Sequence, residues 1–222
     1  MHEDKTMLET SLSEMQEKLK SYCVFDERSV YVIMAIARKK YNPYTRSTEI
    51  ALREILRKDS DIDRRVQRLY NQAKYLKDGE EKRKFYFYCS VNPRDTLKAY
   101  LNLSNELNNI FYRTMIEGTD EIHKFQKLNG LWISSLMKPN SRYTSCMTRW
   151  LIDLDEKKEK LFYNVLKLVG IPILNTFQTM NGSHFITAPF DTRELEPLHE
   201  EFDFEIKKDS LFHIGHINFE ED

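Results

Sequence analysis

Arg149-Trp150-Leu151-Ile152-Asp153-Leu154-Asp155 is an apolar run that ends in two aspartates one residue apart. Alternate side chains of a strand share a face. Read as a strand from about 148 to 154, the run therefore sends Ile152 and Leu154 into a core and holds Asp153 and Asp155 together on the opposite face. Two like charges fixed on one surface raise each other's energy unless a cation lies between them, and a divalent metal ion is a common answer.

The residues downstream give the fold class. Leu161, Phe162, Val165, Leu166 and Val169 fall on one side of a helix from about 156 to 169, which Gly170 closes. A strand from about 172 to 178 meets Asn181-Gly182, a hairpin signal, and 183–188 is the returning strand. Asp191-Thr192-Arg193-Glu194 opens a short helix, and one or two strands fill 203–218. Strand, helix, strand, hairpin, strand, helix, strand is the split βαβ order. It places the first and third strands side by side at the centre, with the last strand next to the first. Asp153 and Asp155 then neighbour the strand carrying His184, and Glu205 or Asp209 approaches from the other side. The two helices cover one face and leave the other for function.

The preceding 150 residues read differently. Residues 3–80 are expected to be helical. Met7, Leu8, Leu12, Met15 and Leu19 make one stripe, and Val30, Ile33, Met34 and Ala37 a second that ends at Asn42-Pro43. Further helices start near Ser47-Thr48, carrying Ile50, Leu52, Ile55 and Leu56, and after Asp59-Ser60-Asp61, carrying Val66, Leu69, Tyr70 and Ala73. Phe85–Val91 is aromatic and bounded by Asn92-Pro93, so it is a strand that packs both faces. A helix runs from about Pro93 to Ile116, Leu131–Leu136 is assigned to a strand, and Arg94 either reaches the aspartates or caps a helix. The fold class expected is α+β: a helical region over 1–80, then an α/β domain over 81–222 with its ferredoxin-like core at about 148–218.

Composition narrows the function classes. No apolar run approaches the roughly 20 residues of a membrane span, and the beginning of the chain does not read as a signal peptide. Cys23, Cys89 and Cys146 are odd in number and far apart, which fits neither a disulfide framework nor a zinc site and points to a reducing cytoplasm. The net charge of −1 conceals an asymmetry: residues 38–84 hold fifteen Lys/Arg against eight Asp/Glu, whereas 185–222 hold eleven acids against three bases. The basic segment is either a nucleic-acid footprint or a solvated face laced with salt bridges.

The pattern Leu151-Ile152-Asp153-Leu154-Asp155, then helix, strand and a hairpin bearing Gly182-Ser183-His184, resembles the catalytic core of archaeo-eukaryotic primases and primase-polymerases. Thr179–Thr187 is similar in form to the hairpins of small phage and plasmid members. The resemblance covers about 140 residues, with its specific motifs within 149–209. It implies an RRM-like core flanked by an α/β module, and a nucleotidyltransferase that adds nucleotides to a nucleic-acid 3′ end by a two-metal mechanism with Mg2+ or Mn2+. Asp153 and Asp155 would hold the metals, and His184, supported by Ser183, would contact the nucleotide phosphates. The third carboxylate is Asp209 or Glu205, with Asp209 preferred. Arg149, Lys207 and Lys208 would neutralise triphosphate or template. The implied partners are nucleoside triphosphates, single-stranded or primed DNA or RNA, and a replicative helicase or another replication protein. The chain lacks the zinc-binding cysteines found in some members.

Two other readings compete. A catalytically degenerate adaptor would bind single strands through the basic 38–84 segment. A two-histidine phosphoesterase needs two His-x-Thr or His-x-Ser motifs, and neither His184-Phe185-Ile186 nor His213-Ile214-Gly215 supplies one. His213 and His216, three apart in a strand, are expected on opposite faces.

Overall fold

The computed structural model describes residues 10–42, 49–78, 81–146, 148–179 and 181–217. Met7, Leu8, Pro43, Ser47 and Thr48 lie outside the described residues, as does the Met180 side of the hairpin turn. The architecture is α+β, built on two antiparallel sheets with four principal strands each. These strands are β1 Ser29–Ala37, β2 Ile50–Leu56, β3 Phe85–Ser90, β4 Trp150–Leu154, β5 Ile173–Gln178, β6 Ser183–Thr187, β7 Phe204–Lys207 and β8 Leu211–Ile217. The helices are α1 Leu12–Tyr22, α2 Ile62–Tyr75, α3 Thr96–Met115, α4 Leu128–Leu136 and α5 Glu159–Val169. None of the described helices is long and apolar enough to cross a membrane.

The sheet containing the aspartates has the order β7-β4-β6-β5. The first and third strands of this segment are central neighbours, and the last lies beside the first, as the sequence order requires. Ile152 and Leu154 are buried with Phe185, Phe204 and the α5 residues Phe162 and Leu166. Gly170 ends α5 at φ +87°, in the left-handed region that glycine enters without a Cβ penalty. Residues 192–200 form a 3₁₀-helix that contains Pro197 and buries Leu195 under the same sheet.

The opposite face is not left open, in contrast to the sequence expectation. Leu151, Ile186 and Phe177 join a second core with Tyr22 of α1 and Phe212 of β8. Phe177 stacks on Phe212 at 4.7 Å between centroids, and Tyr22 lies 5.8 Å from Phe177.

The other sheet has the order β8-β3-β1-β2, and the short segment Arg94–Asp95 pairs with the start of β1. It corrects the helical reading of 1–80, since β1 and β2 stand where two helices were expected. Residues 29–35 are buried without interruption, and Val30, Tyr31, Val32 and Ile33 have the branched or aromatic side chains that suit a pleated surface. A continuous apolar run satisfies a helical stripe and a strand equally, and burial on both faces selects the strand. α1 and α2 cover one face through Met15, Leu19, Val66 and Leu69, while Ala99 of α3 and Leu136 of α4 cover the other. β1 and β2 precede residue 80 and β3 and β8 follow it, so this sheet crosses the division expected there. Leu128–Leu136, assigned in part to a strand, is helical because its apolar side chains pack against α3 and the sheet rather than pairing along an edge.

Between β7 and β8 the chain leaves one sheet for the other, and Asp209 sits in that crossing. Arg94, 1% exposed, donates to both Asp209 oxygens, Nη1 to Oδ2 at 2.7 Å and Nη2 to Oδ1 at 3.0 Å. Arg94→Met leaves this carboxylate uncompensated. It should lower unfolding stability in urea by about 3 kcal/mol, and Arg94→Met with Asp209→Leu should recover part of that loss. At the hairpin, a Cβ on Gly182 would lie 1.8 Å from the Leu154 carbonyl oxygen, at the end of the aspartate strand. Gly182→Ala is expected to cost about 2 kcal/mol or more in the same titration, because two backbones must separate.

Candidate functional site

The register of the β4 sheet builds a polar row. Asp153 stands directly opposite His184 on β6 and directly opposite Glu205 on β7. Cross-strand partners share a face, so the three side chains meet on the side away from α5. Asp155 follows two residues later at the strand end, with its backbone N–H donating to the Asp203 carbonyl. The row opens into a cleft of about 280 Å3 between the two sheets. Asp153, Asp155, His184 and Lys207 line it from one sheet, while Arg38, Tyr88 and His213 are among the residues lining it from the other.

Asp153 is the electrostatic centre. Its Oδ1 accepts from His184 Nε2 at 3.0 Å and its Oδ2 from Lys207 Nζ at 2.6 Å. Burial pushes its carboxyl upward, but the hydrogen bonds and charges of His184 and Lys207 outweigh that and hold it down at about 2. Lys207 also reaches Glu205 at 3.0 Å, so one ammonium bridges two carboxylates. Burial lowers the Lys207 ammonium and those two carboxylates raise it, for a net rise. At Asp155 burial raises the carboxyl, and Asp153, Asp203 and Glu205 raise it further. The Lys207 charge pulls it down but is outweighed.

The backbone fixes the tautomer of His184. Its Nδ1 accepts the N–H of His213 at 2.9 Å, so the ring proton resides on Nε2 and is donated to Asp153. Both nitrogens are thereby committed, and His184 orients the aspartate. His213 is pushed down to about 3, chiefly by burial, and is neutral at pH 7. Its Nδ1 lies 3.3 Å from the Gln178 carbonyl, which marks it as the protonated nitrogen. His213 Nε2 is then a buried lone pair with no hydrogen-bond partner among the described residues. That acceptor suits a donor group of a ligand in the cleft.

The remaining sequence candidates are placed apart from this row. Asp209 is held by Arg94, and Asn92 Nδ2 lies 3.2 Å from its Oδ1, so its oxygens are committed to the crossing between sheets. Ser183 alternates to the α5 side of β6 and is buried, with its hydroxyl unpartnered among the described residues. Arg149 stacks over the Tyr22 ring at 4.4 Å and donates to the Tyr22 carbonyl at 3.2 Å. Lys208 lies over Trp150 at 5.0 Å. Of the two third-carboxylate candidates, Glu205 shares the face of Asp153.

Arg38, Tyr88 and His213 were missed as site residues. The alternation in Phe85-Tyr86-Phe87-Tyr88 carried a signal, since the phenyl rings face the core and the phenols face the cleft. A β-bulge between His213 and Gly215 shifts the register. His213 and His216 therefore share a face, with rings stacked at 5.8 Å, which corrects the opposite-face expectation.

Among the described residues no group of three His, Cys, Asp or Glu side chains is arranged to hold a metal ion. The donor chemistry nevertheless fits a hard cation. Asp153, Asp155 and Glu205 supply only oxygen, and the Lys207 ammonium already lies between two of them.

The depressed carboxyl of Asp153 contributes stability that is present above its ordinary value of 3.8 and lost as pH falls through about 2. With partial solvent screening this amounts to about 1 kcal/mol. Lys207→Met should raise the Asp153 carboxyl toward its ordinary value, read by carboxyl NMR titration, and should shift the acid-unfolding midpoint upward. No family model, no curated protein and no solved structure matches the chain.

Proposed function

We propose that the chain is a metal-dependent nucleotidyltransferase of the primase-polymerase type, which adds nucleotides to a nucleic-acid 3′ end. The observation that carries this reading is the pairing of Asp153 with His184 across adjacent central strands, with Asp155 beside them at the mouth of a cleft. The β7-β4-β6-β5 order supports an RRM-like unit, in which the two central strands bear the active groups. The β1 sheet then takes the place of the flanking α/β module and provides the second wall.

Asp153, Asp155 and Glu205 would hold Mg2+ or Mn2+, which when bound activates the attacking hydroxyl and neutralises charge on the departing pyrophosphate. Glu205 replaces Asp209 in this role because Asp209 is spent on Arg94. His184 keeps the Asp153 carboxylate aimed and ionised. Lys207 and Arg38 face the cleft with the positive charge a triphosphate needs, and the rim of the cleft is where single-stranded or primed nucleic acid would lie.

A second reading is a nucleic-acid-binding adaptor without catalysis, and the saturation of Asp153 by Lys207 and His184 favours it. Incorporation of labelled nucleotide on a primed single-stranded template, with Mg2+ or Mn2+, separates the two. Catalysis predicts metal-dependent extension that falls by more than about a hundredfold in Asp153→Asn and in Asp155→Asn. If the native chain binds the template but extends nothing with either metal, the adaptor reading replaces the enzyme.

A further inference from the structure

α3 presents an apolar stripe to solvent. Leu97, Tyr100, Leu101, Phe111, Tyr112 and Met115 are each about half exposed or more, whereas Ala99 and Ile110, on the opposite side of the helix, are buried. Leu97, Leu101, Ser104, Asn108, Phe111 and Met115 follow one another in alternating steps of four and three. That is the spacing of a coiled-coil seam, in which a polar centre fixes register.

The stripe is also its own mirror. Reflection through residue 106 exchanges Leu97 with Met115, Leu101 with Phe111, Ser104 with Asn108 and Tyr100 with Tyr112. An antiparallel pairing of two such helices sets apolar against apolar at both ends and hydroxyl against amide at the centre. This is the isologous condition of a two-fold dimer, in which residue i meets j and j meets i.

Charge and area agree. The charged residues of α3 are Lys98, Glu106 and Arg113, and each already has a partner in its own chain: the Arg142 carbonyl, Lys138 and Glu121. The stripe therefore offers nothing to neutralise phosphates, which excludes nucleic acid as its occupant. An aromatic side chain carries about 150–250 Å2, so the exposed parts of these side chains amount to roughly 700 Å2, close to the roughly 800 Å2 per partner of a standard interface.

We infer that the chain forms a two-fold dimer through antiparallel packing of α3 against α3 of a second copy. No residue of the α3 seam lines the cleft, so the inference does not depend on the proposed activity.

Sedimentation equilibrium of the full chain should give twice the chain mass at about 10 µM, the range expected of an interface of this size. Leu101→Glu and Phe111→Lys each place a charge against an apolar side chain twice per dimer. Each should weaken dimerisation at least about tenfold, with circular dichroism unchanged because both positions are exposed. Mixed together the two variants should associate again. The carboxylate introduced in one chain then meets the ammonium introduced in the other, while the native Phe111 and Leu101 meet at the second contact. Disulfide formation in a Cys146→Ser background tests direction. Leu101→Cys should cross-link to Phe111→Cys and not to itself. A native chain that remains monomeric at about 100 µM, variants that dimerise as the native chain does, or self-cross-linking of Leu101→Cys would each overturn the inference.

Discussion

Two residues, Asn92 and Arg94, fasten the two sheets to each other. Asn92 accepts the Arg149 N–H at 2.8 Å and donates to the Arg149 carbonyl at 2.9 Å, which clamps the backbone just before the aspartate strand. Arg94, buried and bidentate on Asp209, holds the chain where it crosses from β7 to β8. Planar guanidinium and carboxylate match at two points, so the bond sets direction as well as distance. With the entry to β4 and the exit from β7 both fixed, the distance between the sheets follows, and with it the width of the cleft. Around this clamp Tyr22 donates to the Val91 carbonyl at 2.6 Å and packs on Phe212, which extends the fastening into the apolar core.

Within the cleft the same economy applies to charge. A carboxylate as enclosed as Asp153 would be driven toward its neutral form by burial alone, and His184 and Lys207 reverse that. His184 can do so because the backbone N–H of His213, from the other sheet, occupies its second nitrogen. The protonation geometry of one sheet is thus set by a strand of the other. The fastening of the sheets and the electrostatics of the candidate site are parts of one arrangement.

The last third of the chain was legible because its signals are local. Helical spacing and Gly170 marked α5, Asn181-Gly182 marked the hairpin, and alternation placed Asp153 and His184 on one face. α1, α2, β3 and α3 were legible for the same reason. β1 was not, since its apolar run is continuous and only burial on both sides distinguishes strand from helix. That Arg94 pairs with Asp209 while Glu205 shares the face of Asp153 was likewise beyond local reading, because Arg94 lies more than a hundred residues away in sequence.

The sequence by itself determined the order of elements around the hairpin, the side of the sheet on which the aspartates stand, and the span of the long helix α3. Each of these depends on periodicity within a single element, which neighbouring residues carry. Only the tertiary structure decided that β8 leaves its neighbours for the other sheet, that a bulge brings His213 and His216 to one face, and that Arg38 and Tyr88 face Asp153. Those outcomes depend on long-range pairing and on the partners that satisfy buried charge. A local pattern does not encode either of them.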